Sequence, residues 1–311
     1  MWYNVFMRKT SIRFFENIPV RAVWEEESAK WFFCATDITE ALTKSKNPRS
    51  YWNKIKTRKP ELWTICRQLK LKAKDGKYYN TDVVEEKDLN TVIALIPSKK
   101  SDVFLRWMKN LETSLDEKSK KKAYELFESG FVNEIEVGTT KGLRQIHGYI
   151  FGGLYNFAGQ VRTLNISKGG FTFAPVMFLD KSLAAIDAMP ENTLEDIVRK
   201  YVEMNVAHPF MEGNGRSTRI WLDLMLKKNL GVCVDWSVID KNDYLAAMKK
   251  SVADSADIFT LIKGALTPDI NDRETFMKGI DYSYYYEQVD DVLPDERNGP
   301  LDKTTKKGIN S

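Results

Sequence analysis

Twelve consecutive residues, His208-Pro-Phe-Met-Glu212-Gly-Asn-Gly-Arg216-Ser-Thr-Arg219, carry the residue types that transfer of a phosphoryl or nucleotidyl group needs. The chain has two histidines, His147 and His208, so histidine chemistry has two candidates. An imidazole titrates near neutrality and can take a proton from an attacking hydroxyl. Glu212 offers hard carboxylate oxygens of the kind that hold Mg2+ together with phosphate oxygens. Gly213-Asn214-Gly215 forms a turn that tolerates positive φ and close approach of backbone to a ligand. It opens a helix, whose first N–H groups and dipole favour an anion. Arg216 and Arg219 are three apart and share a helical face near that end, and guanidinium forks match phosphate oxygens. The plainer alternative is a helix start capped by Asn214, but a cap requires neither the histidine, nor the glutamate, nor two arginines.

A loop of this kind must be held by the elements around it. From residue 112 onward, apolar spacing of helical period recurs near 116–130, 139–157, 180–189, 193–206, 214–229 and 240–264, with one more helix over 270–287. The exception is a glycine-containing, β-like stretch between Arg162 and Phe178, which predicts a hairpin. The first third differs. Short β-rich runs (Ile12–Phe15, Val20–Trp24, Lys30–Cys34) precede a helix with Thr36 or Asp37 as its N-cap. Asn47-Pro48 opens a second helix, Lys77–Asn80 reads as a strand, and 88–110 reads as helix interrupted near Pro97. The fold class expected is α+β, with a small α+β unit over 1–110, a mostly helical unit over 111–289 and a polar, disordered tail over 290–311.

Charge separates the same two parts. Residues 1–110 hold 22 Lys/Arg against 13 Asp/Glu, whereas the remainder is net acidic. Twelve of those basic residues fall between Lys44 and Lys77, interleaved with Tyr51, Trp52, Trp63, Tyr78 and Tyr79, a composition that suits nucleic acid as well as a solvated basic surface. No apolar run reaches the length of a membrane span, and Met1 to Arg13 lack the apolar centre of a secretory signal. Three widely spaced cysteines match no metal spacing and point to reduced thiols in a cytoplasm.

The twelve residues match the Fic family motif H-x-F-x-[D/E]-G-N-G-R-x-x-R at every defined position, and the likeness extends over roughly 112–287. The resemblance implies a protein adenylyltransferase with ATP as substrate. His208 would be the general base and Glu212 the Mg2+ ligand on the nucleotide phosphates. Gly213, Asn214, Gly215 and Arg216 would hold the phosphates, and Arg219 the γ-phosphate. Phe210 would anchor the core, and His147 would be structural. It also implies a hairpin flap that aligns a target protein by strand addition, here Lys168, Gly169, Gly170, Phe171 and Thr172 within 165–174. Ser283-Tyr-Tyr-Tyr-Glu287-Gln resembles the family's inhibitory helix, in which the glutamate pairs with the second motif arginine; Gln288 stands where glycine or asparagine is usual. Tyr282 and Tyr284–Tyr286 are then candidates for self-modification. Residues 11–110, through Ile12-Arg-Phe-Phe15, Val23-Trp24, Trp31-Phe-Phe33 and Tyr51-Trp52, resemble the phage antirepressor-like BRO-N domain, a family associated with DNA binding. Two other readings stay open: phosphate transfer to a protein, against which Gly213 and Gly215 argue, and a DNA-binding regulator that uses the Fic domain as a nucleotide sensor.

Overall fold

The computed structural model describes residues 9–73, 75–111, 114–168 and 171–288. The chain is α+β: an antiparallel sheet comes first and a helical assembly follows.

Strands β1 (Lys9–Phe15), β2 (Ile18–Glu25) and β3 (Lys30–Cys34) form a meander. The turn between the first two is Glu16-Asn17, both at positive φ, the geometry that fits the twist of a two-residue hairpin. Helix α1 (Ala35–Thr43) follows without a loop. Its N-cap is Cys34, not Thr36 or Asp37; the Asp37 carboxylate instead accepts from the Arg21 backbone N–H at 3.0 Å and from its guanidinium at 2.7 and 2.8 Å. Helix α2 (Pro48–Arg58) begins as the sequence indicates, with the Asn47 side chain accepting from Ser50 N–H. After the short α3 (Leu62–Ile65), strands β4 (Cys66–Lys72) and β5 (Tyr78–Glu85) complete the sheet in the order β1-β2-β3-β5-β4. Helices α4 (Leu89–Leu95) and α5 (Ser101–Leu111) break around Pro97 and cover one face, where Phe15, Phe33, Ile38, Trp52, Val84, Ile93 and Phe104 form the core.

One polar cluster lies inside this unit. The Asp82 carboxylate accepts from Lys56 Nζ at 2.7 Å, from Trp52 Nε1 at 2.8 Å and from Gln68 Nε2 at 3.3 Å. Burial would raise its pKa, but these donors more than offset that and hold it below the usual carboxylate range.

The helical assembly starts with α6 (Leu115–Glu128), capped by Ser114, and α7 (Thr140–Phe151), capped by Thr139. The expected 139–157 helix stops at Phe151 because Gly152-Gly153 turns the chain, with Gly153 at positive φ. Strands β6 (Ser167–Lys168) and β7 (Phe171–Thr172) pair as a small hairpin. Then come α8 (Val176–Asp187), α9 (Leu194–Ala207) with a Thr193/Asp196 capping box, and α10 (Asn214–Leu230). From Asn214 to Leu226 α10 is buried on nearly every side, and only Lys227–Asn229 near its end are exposed, the pattern of a central helix. It is followed by β8 (Cys233–Val234), α11 (Lys241–Lys250), α12 (Ala256–Gly264), β9 (Leu266–Thr267, paired with β8) and α13 (Arg273–Glu287). The single helix expected over 240–264 is thus two, broken where Asp254 bonds the Ala256 N–H. The seam at 112–113, the flap glycines Gly169 and Gly170, and the expected tail over 290–311 lie outside the described residues. Among the described residues no helix is long and apolar enough to cross a membrane.

Replacing Asp82 by alanine strands the Lys56 ammonium in the N-terminal core. Removing one partner of a buried pair costs about 3–5 kcal/mol, so the D82A variant should show a lowered urea midpoint for this part of the protein, with D82N losing less. Stability within about 1 kcal/mol of the parent would show that water reaches Lys56.

Candidate active site

The loop between α9 and α10 is fixed at both ends. His208 ends α9 in the left-handed region (φ 48°), with its N–H bonded to Met204 O at 3.0 Å. Gly213 (φ 81°) starts α10, and a Cβ there would lie 2.3 Å from the Phe151 ring, so only glycine fits. Inside the loop the Asn214 amide bonds both ways to Phe210, accepting from its N–H at 2.8 Å and donating to its C=O at 2.7 Å. The Asn214 side chain therefore holds the loop closed and does not face the mouth of the helix; only its backbone N–H is placed to meet an anion. Phe210 is buried and its ring stacks on His147, with centroids 3.8 Å apart.

His147 is a strut. Its Nδ1 accepts from Gly159 N–H at 2.9 Å, so Nε2 carries the hydrogen and donates to Glu212 O, also at 2.9 Å. Burial, helped by the nearby Arg216 charge, depresses its pKa to about 4 and keeps the ring neutral.

His208 is oriented differently. Its Nδ1 lies 3.2 Å from Asn205 O; a carbonyl only accepts, so Nδ1 is the protonated nitrogen and the lone pair lies on Nε2. The ring stacks on Phe173, the residue after β7, at 3.7 Å. The His208 C=O accepts from Arg162 Nε at 2.8 Å. Arg162, 3% exposed, also donates to the carbonyls of Leu164, Ala174 and Ala207, so one guanidinium joins both ends of the flap segment to the histidine backbone.

The two motif arginines meet carboxylates. Arg216 donates to Glu212 Oε1 at 2.9 Å and to Asp116 Oδ1, from α6, at 2.5 Å. Arg219, 2% exposed, donates through Nε to Ser283 Oγ (2.7 Å), through one terminal nitrogen to Ser283 O (2.7 Å) and Glu287 Oε1 (2.6 Å), and through the other to Tyr244 OH (3.2 Å). Burial opposes its charge; Tyr244 and Glu287 more than offset this and hold the guanidinium ionised. The Glu287 carboxylate lies over the glycine turn, since a Cβ on Gly215 would come 2.1 Å from Glu287 Oε1.

The fold thus gathers His208, Glu212, Gly213, Asn214, Gly215, Arg216, Arg219, Ser283 and Glu287 at the head of α10. Lys168 pairs with Phe171, and Ser167 with Thr172, in the hairpin beyond Arg162. Sequence reading missed Arg162 as a clamp, Phe173 as the histidine's stacking partner and Asp116 as the second carboxylate on Arg216. Of these only Arg162, a lone cation between a glycine turn and a hairpin, carried a local signal.

Residues 138–226 match the model of the Fic/DOC family. That span runs from α7 through most of α10, and so includes His147, Arg162 and the whole His208–Arg219 loop, but stops short of α13. The chain is 28% identical over 176 residues to the protein adenylyltransferase VbhT of Bartonella schoenbuchensis, covering 48% of this chain and 36% of that protein. It is 30% identical over 110 residues to the probable protein adenylyltransferase Fic of Escherichia coli K12, covering 32% of this chain and 54% of that one. The similarity thus spans only about a third to a half of these two relatives. Among solved structures, the N-terminal Fic domain of a Bartonella effector protein aligns with 20% identity and a TM-score of 0.44, covering 52% of this chain and 84% of that chain. The Bartonella tribocorum BepC protein, crystallised with bound AMPPNP, aligns with 19% identity and a TM-score of 0.43, covering 52% and 88%.

The buried His147 sets a pH dependence. The unfolded chain takes up its proton below about 6.5, whereas the folded protein refuses it until about 4. Stability is therefore lost as pH falls through that window, by up to about 3 kcal/mol. An H147Q variant keeps a donor toward Glu212 O and should show a flatter fall in urea stability between pH 7 and pH 4.5. Equal slopes in variant and parent would show that His147 is protonated in the fold.

Proposed function

We propose that this protein transfers AMP from ATP to a Ser, Thr or Tyr hydroxyl of a target protein, and that α13 holds this activity in check. The observation that carries the reading is the head of α10. A histidine with its lone pair on Nε2 stands beside a glycine turn backed by two arginines, inside a span matched to Fic/DOC, among relatives named as protein adenylyltransferases.

In the proposed reaction the target hydroxyl oxygen attacks the α-phosphorus of ATP, its proton passes to His208 Nε2, and the bond from that phosphorus to the bridging oxygen breaks to release pyrophosphate. The first N–H groups of α10 and Arg216 bind the phosphates, and Arg219 takes the γ-phosphate. The Phe173 stack and the Arg162 clamp keep His208 in place while the β6–β7 hairpin pairs with an extended target segment. Glu212 suits Mg2+, which is content with one carboxylate when phosphates and water complete its shell; bound there it would neutralise charge on the departing pyrophosphate.

The same geometry supports autoinhibition. Ser283 and Glu287 take three of the five Arg219 N–H donors and Tyr244 a fourth, and the Glu287 carboxylate lies where phosphate would approach Gly215. Self-modification of the tyrosines on α13 requires that helix to leave: Tyr284 is buried, and the Tyr286 hydroxyl donates toward the carbonyls of Trp236 and Ile239.

With labelled ATP, Mg2+ and a lysate, E287G should label protein at least about tenfold faster than the parent, the scale of one freed charge-assisted bond. R219A breaks the same pair but deletes the phosphate ligand, so it should show no gain. Adding H208A to E287G should cut labelling about 10²–10⁴-fold while ATP still binds. Labelling by the H208A, E287G double variant at the E287G rate would remove His208 as base, and a mass shift of phosphate in place of adenylate would replace the reaction.

A second reading, DNA binding by a 1–110 unit that partners a nucleotide-sensing Fic region, is favoured by one surface. Lys56, Arg67 and Lys72 are engaged by Asp82, Glu25 and Glu274. Arg49, Asn53, Lys54 and Arg58 instead line a groove along α2, and Trp63 and Tyr78 stand exposed. Binding of duplex DNA should weaken steeply with salt, and the R49A, K54A, R58A triple variant should reduce the log–log slope by about 3. No binding at low salt would leave this groove to a protein partner.

A further inference from the structure

Helix α13 has two working faces. Ser283 and Glu287, four apart, point at Arg219. Asp281 and Tyr285, also four apart, lie on the opposite side and meet the N-terminal sheet. There β1 is an edge strand whose outward backbone would otherwise be unpaired. The Asp281 carboxylate covers it, accepting from Ile12 N–H at 2.7 Å and from Ser11 Oγ at 3.3 Å. From α6, Tyr124 OH donates to the same carboxylate, and Lys120 Nζ lies 3.6 Å away. Beside it the Phe14 ring stacks on Tyr285 (centroids 4.0 Å, 14° between planes) and meets Tyr282 edge-on at 5.1 Å. The other side of the sheet also reaches α13: Lys72 Nζ from the edge strand β4 and Tyr78 OH from β5 each lie 3.3 Å from Glu274 in its first turn.

We propose that the N-terminal sheet is the control element of AMP transfer: the β1 edge is the back wall that presses Glu287 into the phosphate turn, and a ligand that draws β1 away from α13 switches the enzyme on. This rests on the reading of Glu287 as the brake. A helix gripped on one face alone could tilt out of the site as a phosphate arrived. Gripped by Asp281 and Tyr285 behind and by Arg219 in front, it moves only if one grip opens. The rear grip is the one that a binding event on residues 9–111 can reach, because Ser11, Ile12 and Phe14 lie on β1, which shares a sheet with β4 and β5 and whose next residue, Phe15, packs in the same core as Trp52 and Ile55 of α2. Asp281 and Phe14 are thus positioning residues; neither touches the proposed substrates.

The test measures labelling of protein from labelled ATP, self-labelling included, in four full-length chains: parent, F14A, E287G and the F14A, E287G double variant. D281N serves as a near-isosteric second lesion. Loosening the rear grip should raise labelling about fivefold, the shift that loss of one stacked aromatic pair gives a two-state helix. In the E287G background F14A should add nothing, since the brake is already gone. A merely structural lesion lowers activity in both backgrounds. Faster hydrogen exchange of the 281–287 amides in F14A and D281N, with the sheet amides unchanged, is the expected companion result. A gain in E287G with none in F14A and D281N overturns this proposal and leaves the brake intact, whereas no gain in E287G overturns the brake and this proposal together.

Discussion

A guanidinium shut inside the molecule governs the arrangement of its second part. Arg219 sits one turn into the central helix, almost without solvent contact, and a buried cation is tolerable only when its donors are met. The helix that meets them comes from the far end of the described chain. α13 is therefore part of the packed interior, with Ile280, Tyr284 and Tyr286 in the same core as α9 and α10. The region matched to Fic/DOC stops before this helix, yet one of its most buried charges, Arg219, is complete only with it. In the reaction we propose, the γ-phosphate is the other group able to meet the same donors, so inhibition and substrate binding draw on one electrostatic requirement.

Arg162 answers a similar requirement without a carboxylate. Its guanidinium donates to four backbone carbonyls, two of them at the end of α9, where unpaired C=O groups and the helix dipole favour a cation. The remaining two flank the hairpin. A residue that satisfies the end of one helix thereby ties the hairpin to His208. Together with His147 beneath Glu212, it makes the loop rigid from both sides, which is what in-line chemistry asks of a base and an anion site.

The loop itself was legible because its chemistry is local: the residue types sit within one turn and one helix start, and their spacing alone puts them together. The contacts that steady it were not legible, because Asp116, Arg162 and Asp281 reach their partners across long stretches of chain that no local period encodes. Asn214 shows a subtler limit. Its position at a phosphate turn was readable, but the direction of its amide depended on Phe210 being buried first. In the N-terminal unit, β4 was passed over although Leu69 and Leu71 alternate with Gln68, Lys70 and Lys72, because the density of charge masked the period. The 240–264 stretch kept helical spacing across its break, since Ser251–Ser255 interrupts the backbone and not the pattern.

Arg216 has a consequence of its own. It bridges Glu212 and Asp116, so one positive charge lies between two negative ones at the edge of the phosphate turn. A polyphosphate arriving alone would set its charge against both carboxylates, and a divalent ion arriving alone would have to pull Glu212 from the bridge with nothing to take its place on Arg216. A cation already chelated by phosphate would resolve both conflicts, offering Glu212 a metal and Arg216 an oxyanion together. Under the proposed function, this small triad, whose two carboxylates are each more than half exposed, would favour the nucleotide as its metal complex over either component by itself.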